Sequence, residues 1–202
     1  MVIIGLTGTF GCGKSTVARF FKEKGAIIID ADKIVHQKYK PGTKCWRRIK
    51  AYFGQEILNK NQTINRKRLA EIVFTQKEHL LALCKIIHSP VIKEIKNQVR
   101  TIEKTKKKTL VIIDAPLLFE AGIEKTVDFT ICVYSTSHIQ IKRILTKRAL
   151  DKKQIEARLK SQMSAESKKL KANFIIDNSG SFAGTRRQVT DILKRIETTD
   201  DK

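Results

Sequence analysis

Eight consecutive residues constrain this chain more than any others. Gly8-Thr9-Phe10-Gly11-Cys12-Gly13-Lys14-Ser15 matches the pattern G-x-x-x-x-G-K-[ST]. Its setting is the required one. An apolar, β-prone run at residues 2–6 precedes it, and residues 14–24 read as a helix with Val17, Ala18, Phe20 and Phe21 apolar and Gly25 as its stop. Gly8, Gly11 and Gly13 permit positive φ and a close approach of backbone to ligand. Successive N–H groups then converge on one anion-sized cavity, and the helix adds the positive end of its dipole. In such a loop Lys14 reaches the β- and γ-phosphates of a nucleoside triphosphate and Ser15 ligates Mg2+. The pattern with its flanking strand and helix outweighs a chance match, but it does not say which triphosphate chemistry follows.

The rest of the chain repeats the strand–helix alternation. Residues 26–29 form a second apolar strand, ending in Asp30-Ala31-Asp32. Residues 110–113 form a third, ending at Asp114, residues 129–133 a fourth, and residues 174–176 a fifth, ending near Asn178 and Gly180. Between them, Cys84, Ile87, Val91, Ile95, Val99 and Ile102 recur at helical spacing. Thr75 and Glu78 have capping-box spacing, and Ser89-Pro90 predicts a helix break and restart. Residues 137–171 read as helical and basic, with 11 Lys+Arg against three acids in 142–171, and residues 184–197 as a closing helix. The expected fold is α/β, a doubly wound parallel sheet of five strands. Residues 1–38, 108–142 and 172–202 form its nucleotide-binding core, 39–107 a helical insertion, and 143–171 a basic helical lid.

Composition narrows the class. At 202 residues the chain is one domain, with room for embedded subdomains. No apolar run approaches the length of a membrane helix, and the apolar start lacks a basic n-region, so the expected location is cytoplasmic. Cys12, Cys45, Cys84 and Cys132 show no C-x-x-C pair and no zinc spacing, as in a reducing compartment. The net charge of +21 allows a nucleic-acid partner, a small polyanion or a lysine-rich surface. Lysine dominates and is spread along the chain without interleaved aromatics, which favours the last two.

Other residues gain meaning from the loop. Asp114 closes an apolar strand, where an aspartate can serve a metal directly or through water. Asp30 and Asp32 sit at the carboxyl end of the second strand, the edge where open α/β sheets bind ligands. On the residues alone two readings stand level there: a carboxylate that accepts the proton of an attacking hydroxyl, or a helix N-cap. Arg143, Lys147, Arg148 and Arg158 in the basic segment are either a solvated face or a source of positive charge for a transferred phosphoryl group.

Taken together, GLTGTFGCGKST at 5–16, IDADKI at 29–34, INRKRLAEIVF at 64–74, His88 with Val91 and Glu94, DAPLLFEAGI at 114–123 and IIDNSG at 175–180 resemble the dephospho-CoA kinase family, in family order along nearly the whole chain. The resemblance implies ATP-dependent phosphorylation of the ribose 3′-hydroxyl of dephospho-CoA, with Mg2+, by a core, a helical CoA-binding domain and a lid. Asp32 matches the catalytic base, Lys14 and Arg143 the groups on the phosphates, and Thr7 with Gly8 through Thr16 the loop that lines them. Arg66, His88, Pro116, Leu117, Leu118 and Glu120 fall on the acceptor side. Asn178 and Gly180 match the loop against adenine, and Ser15 with Asp114 the metal position.

The chain departs from the family pattern at several of these places. Thr9, Phe10 and Cys12 replace a usual Gly, Ile and Ser, and Thr9 puts a Cβ where φ then matters. Ser89 replaces a usual Pro. Lys147 stands at a usual Arg and cannot form a bidentate phosphate fork, while Arg148 stands at a usual Asp. No membrane and no specific nucleic acid are expected as partners. Another small-molecule kinase, a nucleic-acid-dependent NTPase and an interaction protein with a degenerate loop are the weaker alternatives. Acceptor choice and salt-sensitive nucleic-acid binding separate them from the first reading.

Overall fold

Strand β1 (Val2–Gly8) is apolar on both faces, which suits a central parallel strand covered on each side. A computed structural model of the protein describes residues 1–105, 109–147, 155, 159 and 162–200. In it β1 is the middle of a five-stranded sheet, order β2-β3-β1-β4-β5, with β2 (Ile27–Asp30), β3 (Leu110–Asp114), β4 (Phe129–Tyr134) and β5 (Phe174–Asp177). The β1 register is parallel to both neighbours, Leu6 standing opposite Asp114 on one side and Ile131 on the other. The strand order reverses at β1, so the loop that leaves it opens into the crevice where doubly wound sheets take ligands. The expected α/β fold is the one observed.

Helices α1 (Lys14–Glu23) and α8 (Phe182–Asp200) pack together on the sheet. Ile4, Leu6, Phe20, Phe21, Ile131, Ile176 and Val189 are part of the core they share. The close fit extends to the backbone. A Cβ on Gly8 would lie 2.5 Å from the Val133 carbonyl oxygen, and one on Gly5 2.8 Å from Leu118.

By contacts the chain divides into two units, Met1–Ile29 with Lys106–Lys202, and Asp30–Thr105. The second unit is helical: α2 (Ala31–Lys38), α3 (Lys44–Phe53) and α4 (Arg66–Thr75) each pack on α5 (Lys77–Thr105). Ile87, Val91 and Ile95, part of the expected apolar stripe, are buried there.

Three local expectations are corrected. The helix does not break at Ser89-Pro90, because α5 runs through Pro90. Proline has no N–H, so the Ile86 carbonyl, one turn earlier, loses its helical donor. The buried Cys45 thiol of α3 donates to that carbonyl instead, at 3.9 Å. Thr75 does not start a capping box. Its hydroxyl closes α4 by donating to the carbonyls of Glu71 and Ile72. Nor is the basic segment continuous helix: α6 (Ser137–Lys147) and α7 (Ala165–Lys171) are separate, and the Ser164 hydroxyl caps α7 by accepting from Ser167 N–H. Arg148, Arg158, Lys106–Lys108 and the Lys147 side chain lie outside the described residues.

Gly8→Ala should destabilise the fold by about 1–3 kcal/mol, since the Val133 backbone opposite cannot yield cheaply. The midpoint and slope of urea unfolding measure it.

Candidate active site

In the loop between β1 and α1 the carbonyls of Thr9, Cys12 and Gly13 are used inside the protein. Cys12 N–H donates to the Thr9 carbonyl at 3.1 Å, and Thr16 N–H to the Gly13 carbonyl at 2.9 Å. Gly13 starts α1 from the left-handed region (φ 88°) and offers no side-chain cap to the helix N–H groups. These are the conditions for an anion to serve as the cap. Thr9 keeps an ordinary negative φ, so its Cβ is tolerated, and its hydroxyl accepts from Gln140 Nε2 at 2.6 Å. Gly11 packs under Ile144 of α6, and Phe10 N–H donates to Gln162 Oε1 at 3.1 Å.

At the mouth, Lys14 Nζ forms an ion pair with Asp114, the residue that ends β3. Ser15 is exposed in the first turn of α1, and Thr16 is half-buried. A hydroxyl and a carboxylate are hard oxygen donors, the type that holds Mg2+ with few protein ligands and several phosphate or water oxygens. The residues present therefore fit such an ion.

Two residues that resemblance places on the nucleotide grip the loop itself. Arg143 of α6 donates to the carbonyls of Cys12 (3.3 Å) and Asn178 (2.9 Å). Asn178 is 2% exposed, and its Nδ2 donates to the Cys12 carbonyl at 2.8 Å. Gly180 is exposed, with open space where a Cβ would stand.

Behind the loop stands a residue the sequence reading missed. Lys168 of α7 is 0% exposed. Its Nζ pairs with Glu120 at 2.9 Å and donates to the Pro116 carbonyl and, at 3.4 Å, to the Thr7 hydroxyl. Thr7 in turn donates to the Pro116 carbonyl at 3.1 Å. Glu120 also accepts from Met163 N–H at 2.8 Å. Thr7, Pro116 and Glu120 are thus tied to one ammonium group. Leu118 is fully buried against Gly5, so its side chain belongs to the core and not to an acceptor surface. Leu117 is half-buried. Lys168 is one lysine among many in a basic stretch, and no sequence signal distinguishes it.

The remaining acceptor-side residues lie in the helical unit. Asp30 is the N-cap of α2, its carboxylate accepting from Lys33 N–H at 2.9 Å, while Asp32 is exposed in the first turn. The N-cap reading therefore belongs to Asp30. A cavity of about 240 Å3 opens among His36, Tyr39, Pro41, Thr63 and Arg66, with Arg66 hydrogen-bonded to His36. Burial pushes the Tyr39 phenol up to about 12. Lys38, at 3.0 Å, holds the Glu94 carboxyl below its usual range, and His88 of α5 is half-buried.

Comparison with known proteins points to one family. The family model described as dephospho-CoA kinase matches residues 2–184. A dephospho-CoA kinase of Aquifex aeolicus is 40% identical over 193 residues, 96% of each chain. One from Lactobacillus johnsonii is 38% identical over 96% of this chain and 97% of its own. Among solved structures, a dephospho-CoA kinase from Campylobacter jejuni is 30% identical with a TM-score of 0.69, covering 98% of each chain. A shikimate kinase from Acinetobacter baumannii, 19% identical with a TM-score of 0.56 over 100% of this chain and 96% of that one, shares the fold.

Two measurements test this geometry. Lys168→Met should cost about 2–4 kcal/mol by urea unfolding, because the half-buried Glu120 carboxylate loses its counter-ion and the Pro116 carbonyl a buried donor, and adding Glu120→Gln should return part of it. Burial raises the Cys12 thiol from its ordinary 9.0 to about 11. Between those values the unfolded chain releases this proton and the folded one keeps it, so stability falls as pH rises from about 9 to about 11. Cys12→Ala should lose less stability than wild type over that interval, by urea unfolding at several pH values.

Proposed function

The chain belongs to the dephospho-CoA kinase family, and from that premise we propose how its residues divide the transfer of the ATP γ-phosphate to the ribose 3′-hydroxyl of dephospho-CoA. The observation that carries the reading is the loop: an uncapped α1 start behind a left-handed Gly13, with Lys14 held at Asp114 across its mouth.

The triphosphate lies along the amides of Gly11, Gly13, Lys14 and Ser15, those of Cys12 and Thr16 being spent on the Thr9 and Gly13 carbonyls. Lys14 exchanges Asp114 for the β- and γ-phosphates, which places a cation where charge accumulates as the phosphoryl group moves. The freed Asp114 carboxylate and the Ser15 hydroxyl would hold Mg2+, whose charge would offset the negative charge that develops on the leaving group. Arg143, already seated on the Cys12 carbonyl, adds positive charge beside the loop.

Asp32 accepts the proton of the acceptor hydroxyl. The O–H bond breaks as the new O–P bond forms, and the bond from Pγ to the bridging oxygen breaks to release ADP. Because the transition state is loose, Asp32 serves mainly to aim the hydroxyl oxygen. Arg66, His88, Pro116, Leu117 and Glu120 take the acceptor. Leu118 contributes through its backbone, since its side chain is buried. Gly180 lies against adenine, where its open side leaves room for a base. The reading places the enzyme in the cytoplasm without a membrane or nucleic-acid partner. No helix among the described residues is long and apolar enough to cross a membrane.

The test is direct. Incubation with ATP, Mg2+ and dephospho-CoA should add one phosphate to the acceptor by mass, matched by ADP. ADP without phosphorylated acceptor would assign the loop to another substrate. Lys14→Ala should lower kcat/KM by about 100-fold or more. Asp32→Asn should lower kcat by a similar factor with ATP affinity unchanged, measured by steady-state kinetics and nucleotide titration.

A further inference from the structure

Every carbonyl that turned into the phosphate cradle would repel the ligand, so the Cys12–Gly13 peptide must hold one orientation. In a trans peptide the C=O and N–H point opposite ways. A carbonyl fixed on one side fixes the Gly13 N–H on the other. The described peptides are all trans, and the Cys12 carbonyl is fixed by Asn178 Nδ2 at 2.8 Å and by Arg143.

Asn178 can do this only with its amide the right way round. If reversed, its oxygen would face the Cys12 oxygen. The group that sets it is Thr185 of α8, 1% exposed, whose hydroxyl donates to Asn178 Oδ1 at 3.0 Å. A hydroxyl has one proton, and the Ser181 carbonyl also lies within 3.2 Å. That carbonyl, however, already accepts from Thr185's own N–H at 3.0 Å. The backbone of Asn178 is fixed as well: its N–H donates to the Tyr134 carbonyl at 2.8 Å, and its carbonyl accepts from Arg143. Gly13 has no side chain to keep Asn178 away, and a Cβ there would collide with Nδ2.

We propose that Thr185 is a positioning residue: through Asn178 it holds the Cys12–Gly13 peptide so that the Gly13 N–H faces the nucleotide phosphates. Asn178 then acts on the triphosphate and not on the base. The inference rests on the loop being the ATP site, so its test uses a ligand without base or acceptor.

Inorganic tripolyphosphate, ATP and GTP are titrated calorimetrically against wild type, Thr185→Val, Thr185→Ser and Asn178→Ala, with thermal unfolding of each. Thr185→Val should weaken tripolyphosphate and ATP by the same factor, about fivefold, and Asn178→Ala by about tenfold, with the preference for ATP over GTP unchanged. Thr185→Ser keeps the hydroxyl but loses a buried methyl. It should bind as wild type although its melting temperature falls, a separation that a merely structural role would not produce. Wild-type tripolyphosphate affinity in Thr185→Val overturns the proposal. So does equal loss in Thr185→Ser, or loss of ATP with tripolyphosphate unchanged, which would assign Asn178 to the base. If wild type itself binds no tripolyphosphate, the nucleotide reading of the loop falls first and this inference with it.

Discussion

The constraint on which the rest of this structure depends is a separation within one short loop. The amides that open α1 must be left for an anion while the carbonyls of Thr9, Cys12 and Gly13 are satisfied inside. A backbone carries equal numbers of donors and acceptors, so exposing one set requires partners for the other. Here those partners come from far along the chain: Arg143 and Asn178 for the Cys12 carbonyl, Gln140 for the Thr9 hydroxyl, and Val133 and Ile144 packed where side chains on Gly8 and Gly11 would stand. The central position of β1 and the helices around its carboxyl end bring those partners to one place.

The acceptor-side segment after β3 is organised by the same logic with the opposite charge. Pro116, Thr7 and Glu120 present only oxygens to one another, and a fully buried ammonium gathers them. The buried Lys168 ammonium is tolerated because its protons are used on Glu120, Pro116 and Thr7. The same Glu120 receives Met163 N–H just ahead of α7, so the end of the basic segment is fastened to the segment after β3.

What the sequence made legible was local or short in range. The five strands and α1 declare themselves through uninterrupted apolar runs and helical spacing, and the loop through its glycines. Of the site residues named on resemblance, Lys14 and Asp114 pair at the mouth of the loop, and Arg143 and Asn178 bond its backbone. Yet the contacts of Asn178 and Arg143 with the loop backbone depend on folded geometry that no spacing encodes. Lys168, Gln140 and Thr185 were invisible because each is an ordinary residue in its own helix. Their partners lie 161, 131 and 7 positions away, and only the first two distances reflect the sheet. Local signals also misled. Ser89-Pro90 has the composition of a helix start, but packing on three other helices keeps α5 continuous.

That continuity through Pro90 has a further consequence for the helical unit. An ordinary helix spends its interior carbonyls on itself, so its neighbours meet mainly side chains. A proline leaves one oxygen unspent at a fixed height on the rod, and the Cys45 thiol finds it. The bond is weak. It is nevertheless directional where apolar packing is not. The gap in the ladder of α5 thus works as an index mark, adding one directional contact to the apolar packing that seats α3 against it.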